Sequence, residues 1–254
     1  MNGISRREFL TNAVANSSGL ILTRLTVNAS AEERSTAIAA THDAPLAFTA
    51  LARPKPLSFD PAKLNGLSEK LISSHWGNNY GGSVKALNAV KKLLATALAD
   101  KEAPPFAYND LKREHLLRTG SVVLHELYFD NLGGNGKADA QIRAQIGKTF
   151  GDFDTRETEF RKMGLGLAGG SGWVMLGYNV HLKALENYWL VDHLHSPAAA
   201  VPLLIMDMYE HSYHLDFGAS AAKYIDVFFK NIQWEVVAAR LSEANQFSAG
   251  RNTA

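Results

Sequence analysis

Two long helical faces, separated by Pro104-Pro105 and closed by Gly133-Gly134-Asn135-Gly136, set the limits on what this chain can fold into. On the first arm Leu67, Leu71, Ile72 and His75 recur at spacings of three and four behind Ser68 as an N-cap. The pattern resumes as Val84, Leu87, Val90, Leu93 and Leu94 after Gly81-Gly82. Two adjacent glycines cost a helix about 2 kcal/mol relative to alanine, which predicts a kink or break there. A second helix over about 108–131 lines up Leu117, Ser121, His125, Tyr128 and Leu132 before the glycines stop it. The expectation is a helical hairpin over 57–136, preceded by an arm at 32–56 that is rich in Ala, Thr, Glu and Pro.

The second half changes character. Helices are expected at about 138–148 and 155–167. Short β-rich runs follow at 172–179, 186–191 and 201–206, separated by turn residues. Residues 224–243 read as one closing amphipathic helix with Ile225, Phe228, Phe229, Ile232 and Val236 as its stripe. This order predicts an α+β fold: the long hairpin, then an α/β domain over 137–246 with a small three-stranded antiparallel sheet, and a tail at 247–254. Gly164-Leu165-Gly166-Leu167-Ala168-Gly169 spells a dinucleotide fingerprint, but it sits after a helix and before a strand, the reverse of what a pyrophosphate site needs.

At the N-terminus, Ser5-Arg6-Arg7-Glu8-Phe9-Leu10 resembles the twin-arginine export signal. An apolar stretch too weak to span a bilayer follows, then Ala29-Ser30-Ala31 as a small-x-small cleavage pattern. Residues 1–31 are therefore read as a signal peptide, with the export machinery as a partner and a periplasmic or extracytoplasmic destination. The leader holds three Arg and one Glu, so the remainder carries 23 basic against 24 acidic residues. A balance this close to zero argues against a dedicated nucleic-acid binder, and no membrane association is expected after the signal is removed.

The chain has nine histidines and no cysteine, which excludes disulfides, thiolate metal sites and cysteine nucleophiles together. Any metal must be held by nitrogen and oxygen. His42, His115 and His181 read as solvated. His75 and His125 each interrupt an apolar helical face, although the ordinary reading of one such residue is a hydrogen-bonded core histidine. Asp207 ends the apolar run 201–206, where an unpaired carboxylate is costly to bury, and His211 follows one helical turn later.

These residues bring a family into view. Asp207-Met208-Tyr209-Glu210-His211-Ser212-Tyr213 resembles the Asp-x-Trp-Glu-His-(Ala/Ser)-Tyr segment of iron/manganese superoxide dismutases. In family order, His75-Trp76-Gly77 resembles the first ligand segment, His125-Glu126-Leu127-Tyr128-Phe129 the second, Gly170-Ser171-Gly172-Trp173 the opening of the first strand, and Asn231-Ile232-Gln233-Trp234-Glu235 the last helix. The resemblance spans roughly residues 56–240. It implies one iron or manganese ion per chain held by His75, His125, Asp207 and His211, superoxide as substrate, and a homodimer in which Glu210 holds the partner's His211. Three neutral imidazoles and one carboxylate suit a redox-active first-row metal. With a bound hydroxide in the oxidised state and water in the reduced state, such a centre carries about +1 throughout, so electron transfer costs little reorganisation.

The surroundings depart from the family pattern. Counting from His75, its gateway Tyr falls on Ser83 and its funnel His on Asn79; the Trp after the Asp ligand is Tyr209; the Tyr three residues beyond the last ligand is His214, which would face Asn79 of the partner subunit. The residue bonding the metal's solvent is expected at His193, with His195 as the alternative. Tyr128 and Trp173 are expected beside the ligands. Ser83 is shorter than Tyr by a ring, so a wider pocket and slower reaction are expected. Ile205 stands where a Gly accompanies manganese in relatives, which favours iron. Two other readings stay open: a metal-storing or peroxide-handling relative, and a structural relative that retains only the fold.

Overall fold

The computed structural model describes residues 45–250; the signal-peptide reading, His42 and the tip of the tail lie outside them. A helical turn at Leu46–Thr49 (α1) precedes the first arm. Ser68 caps that arm as expected, its Oγ accepting from the backbone N–H of Leu71 at 3.0 Å. The same hydroxyl donates to Asp216 Oδ1 at 2.6 Å, tying the start of the arm to the far half of the chain. The arm comprises Glu69–Ser74 (α2), a π-helical segment His75–Tyr80, and Gly81–Ala99 (α3).

The expected break at Gly81-Gly82 does not occur. Helical structure continues through both glycines, and the distortion is a π segment that ends just before them. Tyr80, Val84, Leu87, Val90 and Leu94 are buried along this stretch. Each contributes roughly 1.5–3 kcal/mol by leaving water, so their sum outweighs the intrinsic penalty of two glycines. The second arm, Pro105–Asp130 (α4), starts with Pro105 at a position where a missing N–H costs nothing, and it packs along α3.

Ala140–Phe150 (α5) and Phe153–Gly166 (α6) begin at the side-chain caps Asp139 and Asp152. Gly164 and Gly166 therefore close a helix, and no phosphate cradle forms at the glycine-rich run. The sheet has Trp173–Asn179 (β1) at its centre, antiparallel to Ala184–Leu190 (β2) on one side and Ala200–Asp207 (β3) on the other. Trp173 pairs with Asp207, and the register steps over Leu203 between Leu176 and Gly177. The outward backbone groups of β3 are taken by side chains: Asn131 Nδ2 and Arg240 both donate to the Leu203 carbonyl, and Ile205 N–H donates to Asn131 Oδ1 at 2.9 Å. β3 packs on α4, which brings the carboxylate at its end to the hairpin.

A short helix, His214–Phe217 (α7), leads into two closing helices, Ala221–Lys230 (α8) and Trp234–Gly250 (α9), where the sequence pattern indicates one. The break has a tertiary cause. The Asn231 side chain donates to Asn65 O at 2.9 Å and accepts from Asn65 N–H at 2.7 Å. The elbow also receives the 133–136 loop: Gly134 N–H donates to Asn231 O, and a Cβ on Gly134 would stand 2.2 Å from Ile232 O. No helix among the described residues is long and apolar enough to cross a membrane.

Candidate metal centre

Four elements deliver one side chain each to a common point. His75 comes from the π segment, His125 from α4, Asp207 from the end of β3, and His211 from the 3-10 turn Glu210–Ser212. The turn is built by Asp207 itself. Its Oδ1 accepts from Tyr209 N–H at 2.8 Å, and its carbonyl accepts from Ser212 Oγ at 2.9 Å and Tyr224 Oη at 2.8 Å. Those bonds fold His211 back over the carboxylate.

Asp207 Oδ2 then lies 3.1 Å from His75 Nε2, 3.6 Å from His125 Nε2 and 3.3 Å from His211 Nε2. One donor atom from each of the four residues falls within 4.8 Å of the others. His75, His125 and Asp207 are fully buried and His211 is partly so. Bonds of about 2.0–2.2 Å to a first-row ion place neighbouring donors about 3.0–3.6 Å apart at angles of 90–120°, which is the spacing found from Asp207 Oδ2 to each of the three imidazole nitrogens. Two of the donors also lack a hydrogen bond: His125 Nδ1–H donates to Ser121 O at 2.7 Å, which fixes its tautomer and leaves Nε2 buried with no hydrogen bond, and His211 Nε2 is likewise unpartnered.

Charge points the same way. Burial lowers the pKa of His75, and takes that of His125 down to about 3, so both are neutral. Burial alone would raise the Asp207 carboxyl, but the imidazoles of His211 and His75 outweigh it and hold the group well below the usual carboxylate range. An ionised carboxylate buried among three imidazoles is a charge that a bound cation would balance. His75, His125, Asp207 and His211 form a mononuclear metal site.

Around the ligands, the Trp173 indole N–H donates to His193 Nδ1 at 3.0 Å. Burial keeps His193 neutral, so its proton resides on Nε2. The His193 ring stacks on Tyr209 with centroids 4.6 Å apart, and Tyr209 stacks on His211 at 5.3 Å. His195 instead is exposed and paired with Asp192. The Tyr128 ring lies 5.2 Å from His75, and its hydroxyl stands 3.3 Å from that of Tyr224, whose own proton goes to Asp207 O. Burial pushes the Tyr128 phenol up, and that of Tyr209 up to about 12, so both stay protonated.

A cavity of about 440 Å³ opens onto the ligands, with Asn79, Ser83, His193 and His211 in its wall. Ser83 Oγ bonds Ser121 Oγ at 2.8 Å, both buried. Glu210 and His214 are exposed, and within this chain no hydrogen bond joins His214 to Asn79.

Two positions escaped the sequence reading. Arg118 joins the cavity wall, two turns before His125 on α4. Gly120, on the same helix, meets the His193 loop so closely that a Cβ there would stand 1.9 Å from His193 O. A glycine in mid-helix, five residues before a candidate ligand, is a legible sign of close backbone approach.

Comparison with known proteins agrees with this geometry. The sequence profile of iron/manganese superoxide dismutases, C-terminal domain, matches residues 138–240. A "Superoxide dismutase [Fe]" of Cupriavidus metallidurans is 51% identical over 190 residues, covering 75% of this chain and 96% of that protein. A "Superoxide dismutase [Fe]" of Aquifex aeolicus is 32% identical over 191 residues, covering 72% and 88%. A "Superoxide dismutase [Mn] 2" of Haloferax volcanii is 28% identical over 197 residues, covering 75% and 94%.

Proposed function

Because the chain belongs to the iron/manganese superoxide dismutase family, we propose that it converts two superoxide anions and two protons into dioxygen and hydrogen peroxide. The observation that carries this reading is the convergence of three imidazole nitrogens on Asp207 Oδ2 at 3.1–3.6 Å. When bound, the ion supplies a one-electron couple that takes an electron from one superoxide and gives it to the next. Iron is the proposed metal, in line with the two relatives named for iron and with the buried Ile205 two residues before the Asp ligand.

The chain's residues do the remaining work. Asp207 supplies the negative charge that retains the ion, and the Ser121 carbonyl aims the His125 ring. Trp173 holds His193 with its Nε2 proton available at the centre. Ser83 and Ser121 leave the cavity open where a ring would narrow it, and turnover below the diffusion limit is the expected consequence.

Metal analysis and superoxide turnover on natively purified wild type and His211→Ala test the assignment. Iron near one per chain with turnover in the wild type, and joint loss of both in the variant, is the expected result. Equal activity in the two proteins overturns it; bound metal without turnover would leave a storing or peroxide-handling protein.

Two further parts of the reading are export and pairing. The Ser5-Arg6-Arg7-Glu8-Phe9-Leu10 motif supports twin-arginine export to the periplasm with removal of residues 1–31. Exposed Glu210, beside the last ligand, supports a homodimer in which it holds the partner subunit's His211. N-terminal sequencing and sedimentation of protein recovered from the periplasmic fraction check both. A chain beginning at Glu32 with twice the monomer mass is expected. Full-length protein confined to the cytoplasm counts against export, and a monomer counts against pairing.

A further inference from the structure

The cavity above the ligands has one permanent charge in its wall. Asn78, Asn79, Ser83 and Ser121 are neutral, and among the described lining residues Arg118 is the sole Lys, Arg, Asp or Glu. It shares a face of α4 with Ser121 and His125, at intervals of three and seven residues. Its Nε donates to Glu114 Oε1 at 2.7 Å one turn back, which steadies the side chain while the Nη groups make no hydrogen bond among the described residues. The side chain is about one-third exposed, so it stands at the rim, between solvent and the ligands.

The surrounding charge gives this position its weight. The whole chain is within one unit of neutrality, so its net charge gives an anion little attraction, and exposed charges beyond about 8 Å are screened at physiological salt. A cation on the wall of a concave, low-dielectric opening acts where screening is weakest and focuses the field into that opening. A guanidinium also presents paired N–H donors to a small oxyanion.

We propose that Arg118 draws the substrate anion into the cavity and orients it at the rim, making it the residue that sets the anion capture rate of this centre. The proposal rests on the dismutase reading and specifies which residue serves it. Arg118 is a positioning residue for entry and takes no part in electron transfer.

The test compares iron-loaded wild type, Arg118→Gln and Arg118→Lys, with kcat/KM for superoxide measured across ionic strength. Arg118→Gln is expected to lower kcat/KM about tenfold at low salt, the lower end of what focused charge does to on-rates, and to flatten its salt dependence while iron content stays at the wild-type level. Arg118→Lys is expected to recover most of the rate and the salt slope. A Gln variant with the wild-type rate and slope overturns the proposal. Calorimetric titration with azide, a small monoanion, gives a readout independent of turnover: the Gln variant should bind it several-fold more weakly than wild type, and equal affinity also overturns the proposal. Iron-loaded wild type without turnover would defeat the dismutase reading, while the azide comparison would still decide the role of Arg118.

Discussion

Asp207→Ala abolishes metal retention and superoxide turnover together, with activity expected to fall at least about 100-fold, since loss of even an outer group around a metal commonly costs 10–100-fold. Oδ2 is the atom on which His75, His125 and His211 converge. It is also the anion that makes a buried cation tolerable there. Without it, three neutral donors remain around a cavity that no longer repays the dehydration of an ion. The metal-free protein is affected as well. Its Oδ1 accepts from Tyr209 N–H and its carboxyl is held below the usual carboxylate range by His211 and His75, so the ionised group favours the fold and metal-free Asp207→Ala is expected to unfold below the temperature of metal-free wild type. Added iron should raise the unfolding temperature of the wild type but not of the variant, because only a ligand that binds the folded state stabilises it. Elemental analysis with thermal unfolding, with and without iron, checks both halves. A variant that still holds one ion per chain would contradict the assignment of Asp207 as the charge-balancing ligand.

Gly120→Ala is expected to separate metal binding from activity. The new Cβ would meet His193 O at 1.9 Å, well inside contact distance, so α4 and the His193 loop must part by more than an ångström. His125, further along the same helix and aimed by Ser121, keeps its place, and metal content should stay near one per chain. His193 is displaced from Trp173 and from its stack on Tyr209. A misplacement of about 1 Å in a group beside the reacting centre can cost about 100-fold, and that fall in turnover is expected, with about 1–3 kcal/mol of lost stability from overpacking. Turnover within twofold of wild type would show that the position of His193 is unimportant.

The ligands are marked in the sequence because they interrupt patterns that are otherwise apolar, but it is the resemblance to iron/manganese superoxide dismutases that joins them into one set. His75 and His125 stand in helical stripes, and Asp207 ends a strand run; a polar residue in such a place has to be answered by a partner. The three strands and the hairpin follow from apolar runs and periodicity together with the Pro and Gly residues that bound them. The failures share a different cause. Gly81-Gly82 read as a break because propensity is local, whereas the burial of Tyr80, Val84 and Leu87 that holds the helix together is tertiary. The division between α8 and α9 escaped notice because both helices continue one apolar stripe, and the interruption is made by Asn231 reaching Asn65, far away in the chain. Gly120 and Arg118 act on a loop and a cavity that exist only after folding.

The side-chain cover on β3 bears on how the molecule behaves in company. A sheet of three strands ends in two borders, and an unsatisfied border invites further strands from other molecules. On β3 the carbonyl of Leu203 and the amide of Ile205 are already engaged by Asn131 and Arg240, and Pro202 offers no amide at all. The border that leads to the metal ligand is thereby blunted at its middle, where an incoming strand would have to displace Asn131 and Arg240 to pair.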